Sequence, residues 1–355
     1  MTTRRALAIG CGGTLGFAWT AVALRAVEQA LDWDARTADV LVGTSAGAEI
    51  VAALGSGRTP QDLLDALEVV SAGSTTEGAG STTDVDPVLA GHVATHPGHL
   101  PPLPAPALPG LGLVRAGLAR RAAYTALAGL LPRGRGDATW LREYGDALAR
   151  PDGWAPHRAT WLVAADARTG ERVAFGAPGS PTASLGEAVA ASWAIPGWFP
   201  PVRIGGRDHV DGGSVSSVSA DLLLDADVDE VVVFAPMTSH GGAPAQGLDR
   251  VERLLRGQMT RGLDREVARL RAAGVRVVRV EPGPEELAAM GPHLLDYVPE
   301  GATREGYAGT FMDLTRRPAT LAAARRALPA RVAEVVSTSS TTEGRSTTEK
   351  ESVHE

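Results

Sequence analysis

Val40-Leu41-Val42-Gly43-Thr44-Ser45-Ala46-Gly47-Ala48 decides how this chain is read. An apolar run ends in Gly-x-Ser-x-Gly, and a small-residue helical pattern follows from Ala46 to Leu54. That order predicts strand, tight turn and helix, the arrangement of a nucleophile elbow. The turn would lift the Ser45 Oγ out of the sheet. Gly43 and Gly47 would leave room where strand and helix crowd together. The helix N-terminus would add N–H groups and a positive partial charge beside the reacting oxygen. The same pattern also occurs in ordinary strand–helix turns, so the chemistry has to be argued from what surrounds it.

Upstream, Ala6 to Ile9 reads as a short buried strand and Phe17 to Leu31 as a helix. Between them lies the glycine-rich loop Gly10-Cys11-Gly12-Gly13-Thr14-Leu15-Gly16. As a dinucleotide cradle it is poor: the third glycine of the fingerprint is absent, Gly16 comes one place late, and there is no Walker lysine. As an oxyanion hole it works through backbone N–H groups, one such donor being worth about 10²–10³ in rate. A plain strand–helix turn is the third reading.

Downstream, Thr59-Pro60 fits N-cap and N1 of a helix. Ser71 to Thr83 is low-complexity and reads as a mobile loop, and Pro97 to Pro109 is too proline-rich for regular helix. Ala107 to Leu131 returns to helical composition. Strands are expected at Thr160–Ala164, Arg172–Phe175, Glu230–Phe234 and Val275–Val280. Helices are expected at Leu185–Trp193, Leu248–Ala273, Pro284–Met290 and Arg304–Val335. This alternation predicts a mostly parallel sheet with helices on both faces, and sites at the carboxyl ends of its strands. Asp211-Gly212-Gly213 follows one such strand through Val210. The two glycines would let the carboxylate approach another backbone, as general base to a serine or as an Asx-turn.

Composition bounds the rest. The chain has 355 residues, 44% of them hydrophobic, enough for a large core. A net charge of −7 argues against nucleic acid as a partner. Cys11 is the single cysteine, so neither an intrachain disulfide nor a cysteine-based zinc site is available. Arg4-Arg5 before Ala6–Cys11 faintly resembles an export signal, but the apolar part is shorter than the roughly seven residues that an h-region needs. No apolar run approaches the ~18 residues of a membrane span. A cytoplasmic protein is therefore expected. His92, His96 and His99 stand among prolines with no carboxylate nearby in sequence, and are read as part of a solvated loop rather than a metal site. Residues 337–355 are Ser/Thr/Glu-rich and are expected to be disordered.

Gly10–Gly16, Gly43–Gly47 and Asp211–Gly213, in that order, resemble the patatin-like phospholipases. Ala191-Ser192-Trp193-Ala194-Ile195-Pro196-Gly197-Trp198-Phe199-Pro200-Pro201-Val202 resembles the family segment before its catalytic aspartate. Glu281-Pro282-Gly283-Pro284 with Leu287–Gly291 resembles bacterial members. The resemblance implies a three-layer α/β/α sandwich over residues 1–336, with residues 71–136 as loop and cap insertion. It implies a Ser45–Asp211 dyad without histidine, and an oxyanion hole at the backbone of Gly12, Gly13 and Thr14. Gly10, Gly16, Gly43, Gly47, Gly212 and Gly213 would support these motifs. The reaction would be hydrolysis of a fatty-acyl ester through an acyl-serine, with no metal or cofactor. Two places depart from the family: Leu15 stands where a basic residue is frequent, and Ser214 to Ser219 contains no asparagine.

Two other readings stay open. One is a histidine-dependent carboxylesterase using Ser45, Asp166 and His209 or His240. The other is a lipid-binding protein that keeps the fold without turnover. From Pro87 to Gly136 there is no Asp or Glu, while Arg115, Arg120, Arg121, Arg133 and Arg135 are present. Residues 98–135 are thus either a solvated cap or a lid in peripheral contact with a membrane, leucines toward acyl chains and arginines toward headgroups.

Overall fold

A computed structural model of the chain describes residues 3–71, 85–96, 104–105, 110–239, 249–291 and 312–351. Five parallel strands form the spine: β1 (Arg5–Ile9), β2 (Val40–Thr44), β3 (Thr160–Asp166), β7 (Glu230–Phe234) and β8 (Arg276–Val280). β2 and β7 are buried along their whole length, which is why they read as unbroken apolar runs. Three antiparallel strands, β4 (Arg172–Phe175), β5 (Val202–Ile204) and β6 (Arg207–Asp211), complete the sheet. The order is β5-β6-β3-β2-β1-β7-β8, with β4 also paired to β3.

Side chains alternate across the strands and feed two cores. Leu7, Ile9, Leu41, Leu162 and Phe234 face one side. There they pack with helices α1 (Gly13–Leu31), α2 (Ala46–Gly55), α3 (Pro60–Ser71), α8 (Leu185–Ser192) and α11 (Arg317–Glu351). Ala6, Ala8, Val42, Val163 and Val233 face the other side and meet Leu263, Val267 and Leu270 of α9 (Asp249–Ala272). The result is the expected three-layer α/β/α sandwich. α10 (Pro284–Met290) begins at the expected proline.

Several elements differ from the sequence reading. α1 begins at Gly13, so the second half of the glycine loop is already helix, with the Gly16 N–H bonded to the Gly12 carbonyl. The helical stretch near 107–131 is two helices, α5 (Leu111–Ala119) and α6 (Ala123–Leu130). α7 (Thr139–Leu148) was not anticipated. The 337–351 segment, expected to be disordered, forms the end of α11. The Ser71–Thr83 loop beyond its first residue, most of Pro97–Pro109, His99 and His240 lie outside the described residues.

The histidine reading is corrected. Asp86 caps a helix, α4 (Pro87–Thr95), with Pro87 at its first turn, and this helix carries His92 and His96 into the core rather than into solvent. Tertiary packing supplies the carboxylate that the local sequence lacks. Glu49 of α2 lies 3.1 Å from His92 Nε2 and 3.5 Å from His96 Nε2. Tyr144 of α7 stacks on His92 and donates its hydroxyl to the Glu49 carbonyl. Burial pushes the Glu49 carboxyl well up, His92 down to about 3 and His96 well below its usual value, favouring the uncharged form of each. One ligand atom from each of the three lies within 4.8 Å of the others. However, His96 Nδ1 accepts an N–H from Arg317 at 3.3 Å, so its proton sits on Nε2, facing Glu49. The set is therefore a buried clamp in which Glu49 bonds to His92, tying α2 to α4, and His96 bonds to Arg317, tying α4 to α11. Glu49→Ala removes it and leaves a cavity; we expect a loss of about 3 kcal/mol in urea unfolding.

Candidate functional site

β3 builds the site. On one edge its first half pairs with β2, ending at Thr44 opposite Val163, and its second half pairs with β6, where Asp211 stands opposite Ala164. The carboxyl ends of β2 and β6 therefore meet at consecutive β3 residues. Ser45 leaves β2 and Asp211 closes β6 at this junction, 166 positions apart in sequence.

The elbow is strained and crowded. Ser45 has φ 57° and ψ −121°, a conformation that costs about 1–3 kcal/mol and persists only where its surroundings hold it. The Ser45 N–H donates to the Ser192 hydroxyl at 2.8 Å, and that hydroxyl donates to the Val163 carbonyl at 2.7 Å. A Cβ on Gly47 would lie 2.1 Å from the Ile9 carbonyl oxygen, so only glycine lets α2 approach β1 this closely. Gly43 meets the same limit against the Gly47 carbonyl.

Ser45 and Asp211 are both buried, 2% and 3% exposed. The Asp211 carboxylate accepts from the Gly213 N–H at 2.7 Å, and the Ser45 hydroxyl lies close enough to stabilise its charged form. Burial pushes the Asp211 carboxyl up to about 7 against the pull of these two donors. The glycine loop completes the junction. Gly12 is the N-cap of α1, and Gly13 and Thr14 open its first turn, at the positive end of the helix dipole. The Gly10 N–H bonds to Phe234, and the Cys11 N–H bonds to the Ser217 carbonyl. Gly213 touches Cys11, and Gly47 touches Ile9 and Gly10, so the three motifs lie against one another. Gly212 packs on the Val163 carbonyl and Gly16 on Pro236.

Two supports were missed in the sequence. Ser192 lies within the quoted family segment, but its hydroxyl acquires its role only where α8 meets β3. Glu266 of α9 holds the segment after Asp211, accepting from the Ser216 hydroxyl at 2.5 Å and the Ala220 N–H at 2.9 Å.

Among the described residues the histidine alternative is not assembled; His240 lies outside them. Asp166 accepts from Arg207, the Arg168 N–H and the Thr169 N–H. His209 is buried beside Phe175, and neither ring nitrogen has a hydrogen-bond partner.

α6 packs over the 212–214 turn, with Tyr124 within electrostatic reach of Asp211 and Cys11. The outer surface of α5 and α6 carries Leu111, Leu118, Leu127 and Leu130, with Leu131 just beyond, all at least half exposed. Leu113 is buried, and Leu108 lies outside the described residues. Among the described residues no helix is long and apolar enough to cross a membrane.

A three-layer sandwich with a serine on a strained strand–helix turn, facing a glycine-opened helix N-terminus, defines a serine-elbow α/β protein. The patatin-like phospholipase family model matches residues 7–224, and the chain belongs to that family. At family level this supports a lipid acyl hydrolase acting on lipid substrates. Among solved structures the chain is similar to VipD from Legionella pneumophila, at 12% identity and a TM-score of 0.41, over 94% of this chain and 67% of that one. No curated protein matches it.

Ser192→Ala leaves the buried Ser45 N–H without an acceptor. We expect it to destabilise the fold by about 1–3 kcal/mol in urea unfolding.

Proposed function

We propose that this chain hydrolyses fatty-acyl esters of lipids with Ser45 as nucleophile and Asp211 as its base. The observation that carries the reading is the strained Ser45 set at the strand junction beside a buried carboxylate, Asp211, whose pKa is pushed up to about 7. The Asp211 carboxylate takes the hydroxyl proton as Ser45 Oγ attacks the acyl carbon. The oxyanion forms beside the backbone of Gly12, Gly13 and Thr14, at the positive end of α1. Collapse expels the alcohol, which takes the proton from Asp211, and leaves an acyl-serine. Asp211 then deprotonates a water that releases the acid.

Ser45→Ala and Asp211→Asn are expected to reduce p-nitrophenyl ester and phospholipid hydrolysis to background while circular dichroism stays native. His209→Ala retains turnover; loss of activity in that variant alone would return the histidine mechanism. Asp211 must be ionised to act as base, so kcat/KM rises with pH through about 7, falling tenfold per unit below it. A limb near pH 4 would show that the acting carboxylate is not the buried one.

The cap supports a peripheral membrane contact. Its exposed leucines stand among exposed arginines in a stretch that lacks acids. We expect Leu118→Ser with Leu127→Ser to lower flotation with anionic vesicles; unchanged flotation overturns the contact.

A further inference from the structure

We propose that the cleft between the α5–α6 turn and α9 binds an anionic, phosphate-bearing headgroup, so that the lipid acted on carries net negative charge. This rests on the acyl-hydrolase reading above. The cleft encloses about 580 Å³ and presents six arginines against two acids. Both acids are committed. Asp221 takes Arg172 through two bonds, 2.6 and 3.0 Å, and Arg269 at 2.8 Å. Glu266 is occupied by Ser216 and Ala220, with Arg172 3.5 Å away. Arg121, Arg261 and Arg265 have no acidic partner among the described residues.

Three features make this more than a basic surface. The first is location. The cleft wall includes Val215, Ser216 and Ser217, four to six residues past Asp211, and the Ser217 carbonyl is fastened to the glycine loop through the Cys11 N–H. Tyr124, in the same wall, is within electrostatic reach of Asp211. The cleft thus shares a wall with the segment that follows Asp211, which ties a ligand there to the same end of the sheet.

The second is backbone. Arg121 has φ 54°, in the left-handed region. It follows α5 where the Ala122 N–H returns to the Gly117 carbonyl and the Arg121 N–H to Leu118. Glycine is the preferred residue at such a helix end, and a side chain there costs roughly 1 kcal/mol. Arginine at this position carries that backbone cost and places a guanidinium at the cleft.

The third is repulsion. Arg261 and Arg265 are one turn apart on α9, a like-charge pair that disfavours the helix unless an anion lies between them. Guanidinium forks grip phosphate oxygens two at a time, and a cleft concentrates their field. α9 also lies outside residues 7–224, so the family match does not prescribe these arginines.

The test uses the full chain carrying Ser45→Ala, which binds without turnover. Calorimetric titration compares lysophosphatidylglycerol with lysophosphatidylcholine of the same acyl chain. Affinity about tenfold higher for the anionic lipid, lost on adding Arg261→Gln and Arg265→Gln, is expected. Equal affinities, or a preference that survives both substitutions, overturns the proposal. Arg121→Gly separates charge from folding. It should weaken anionic binding while Tm holds or rises, and unchanged binding removes Arg121 from the cleft. Inorganic phosphate as competitor distinguishes two sources of the same chemistry: displacement assigns the cleft to phosphate itself, and lipid binding without displacement assigns it to the headgroup on its lipid. Ester turnover by the unsubstituted chain is read separately. Its absence beside selective binding would sink the hydrolase reading and leave the cleft standing.

Discussion

One edge of β3 is the constraint on which the site depends. β2 pairs along its first half and β6 along its second, so two strands of opposite direction and distant sequence end against each other. Ser45 and Asp211 are the residues at those ends. A one-residue slip of either strand would turn every side chain to the opposite face and separate the pair. The alternation of Leu41 and Val42 between two cores resists such a slip in β2, because either error would bury a mismatched face. The geometry of the site is therefore fixed by the same apolar pattern that stabilises the sheet.

The supports around the dyad are held from elsewhere. Ser192 ties the strained Ser45 amide to β3, Glu266 ties the segment after Asp211 to α9, and the Glu49 clamp fixes α2 one turn beyond the nucleophile. Each support uses a different helix. The strain in the elbow is thus balanced by several independent contacts rather than by the turn itself, which is what holding a residue at φ 57° requires.

Local signals made much of this legible in the sequence. β4, β7 and α10 have the expected bounds because apolar runs and proline mark them within a few residues. The three motif segments were readable for the same reason. What was not legible depends on contacts distant in sequence. Asp86-Pro87 is the same kind of helix start as Thr59-Pro60, but the prolines beyond His96 obscured it, and with it the burial of His92 and His96. Nothing near Ser192 or Glu266 in the chain states what their oxygens will meet. The basic cleft was half visible as an acid-free cap; its other wall lies on α9, more than a hundred residues later.

Burial sets the chemistry and the access together. The Asp211 carboxyl is pushed up to about 7 because it is withheld from water, and α6 belongs to what withholds it. In the proposed reaction the same covering would stand between the buried Ser45 and an ester. A fixed opening to solvent would admit substrate but lower the pKa toward an ordinary carboxylate, weakening the base. On the proposed reading, a cap that gave way to lipid would avoid that conflict, since acyl chains exclude water as leucines do. The cap is suited to that exchange: its inner residues pack on the 212–214 turn, while its outer surface is leucine and arginine, groups that favour contact with a lipid surface over contact with the core.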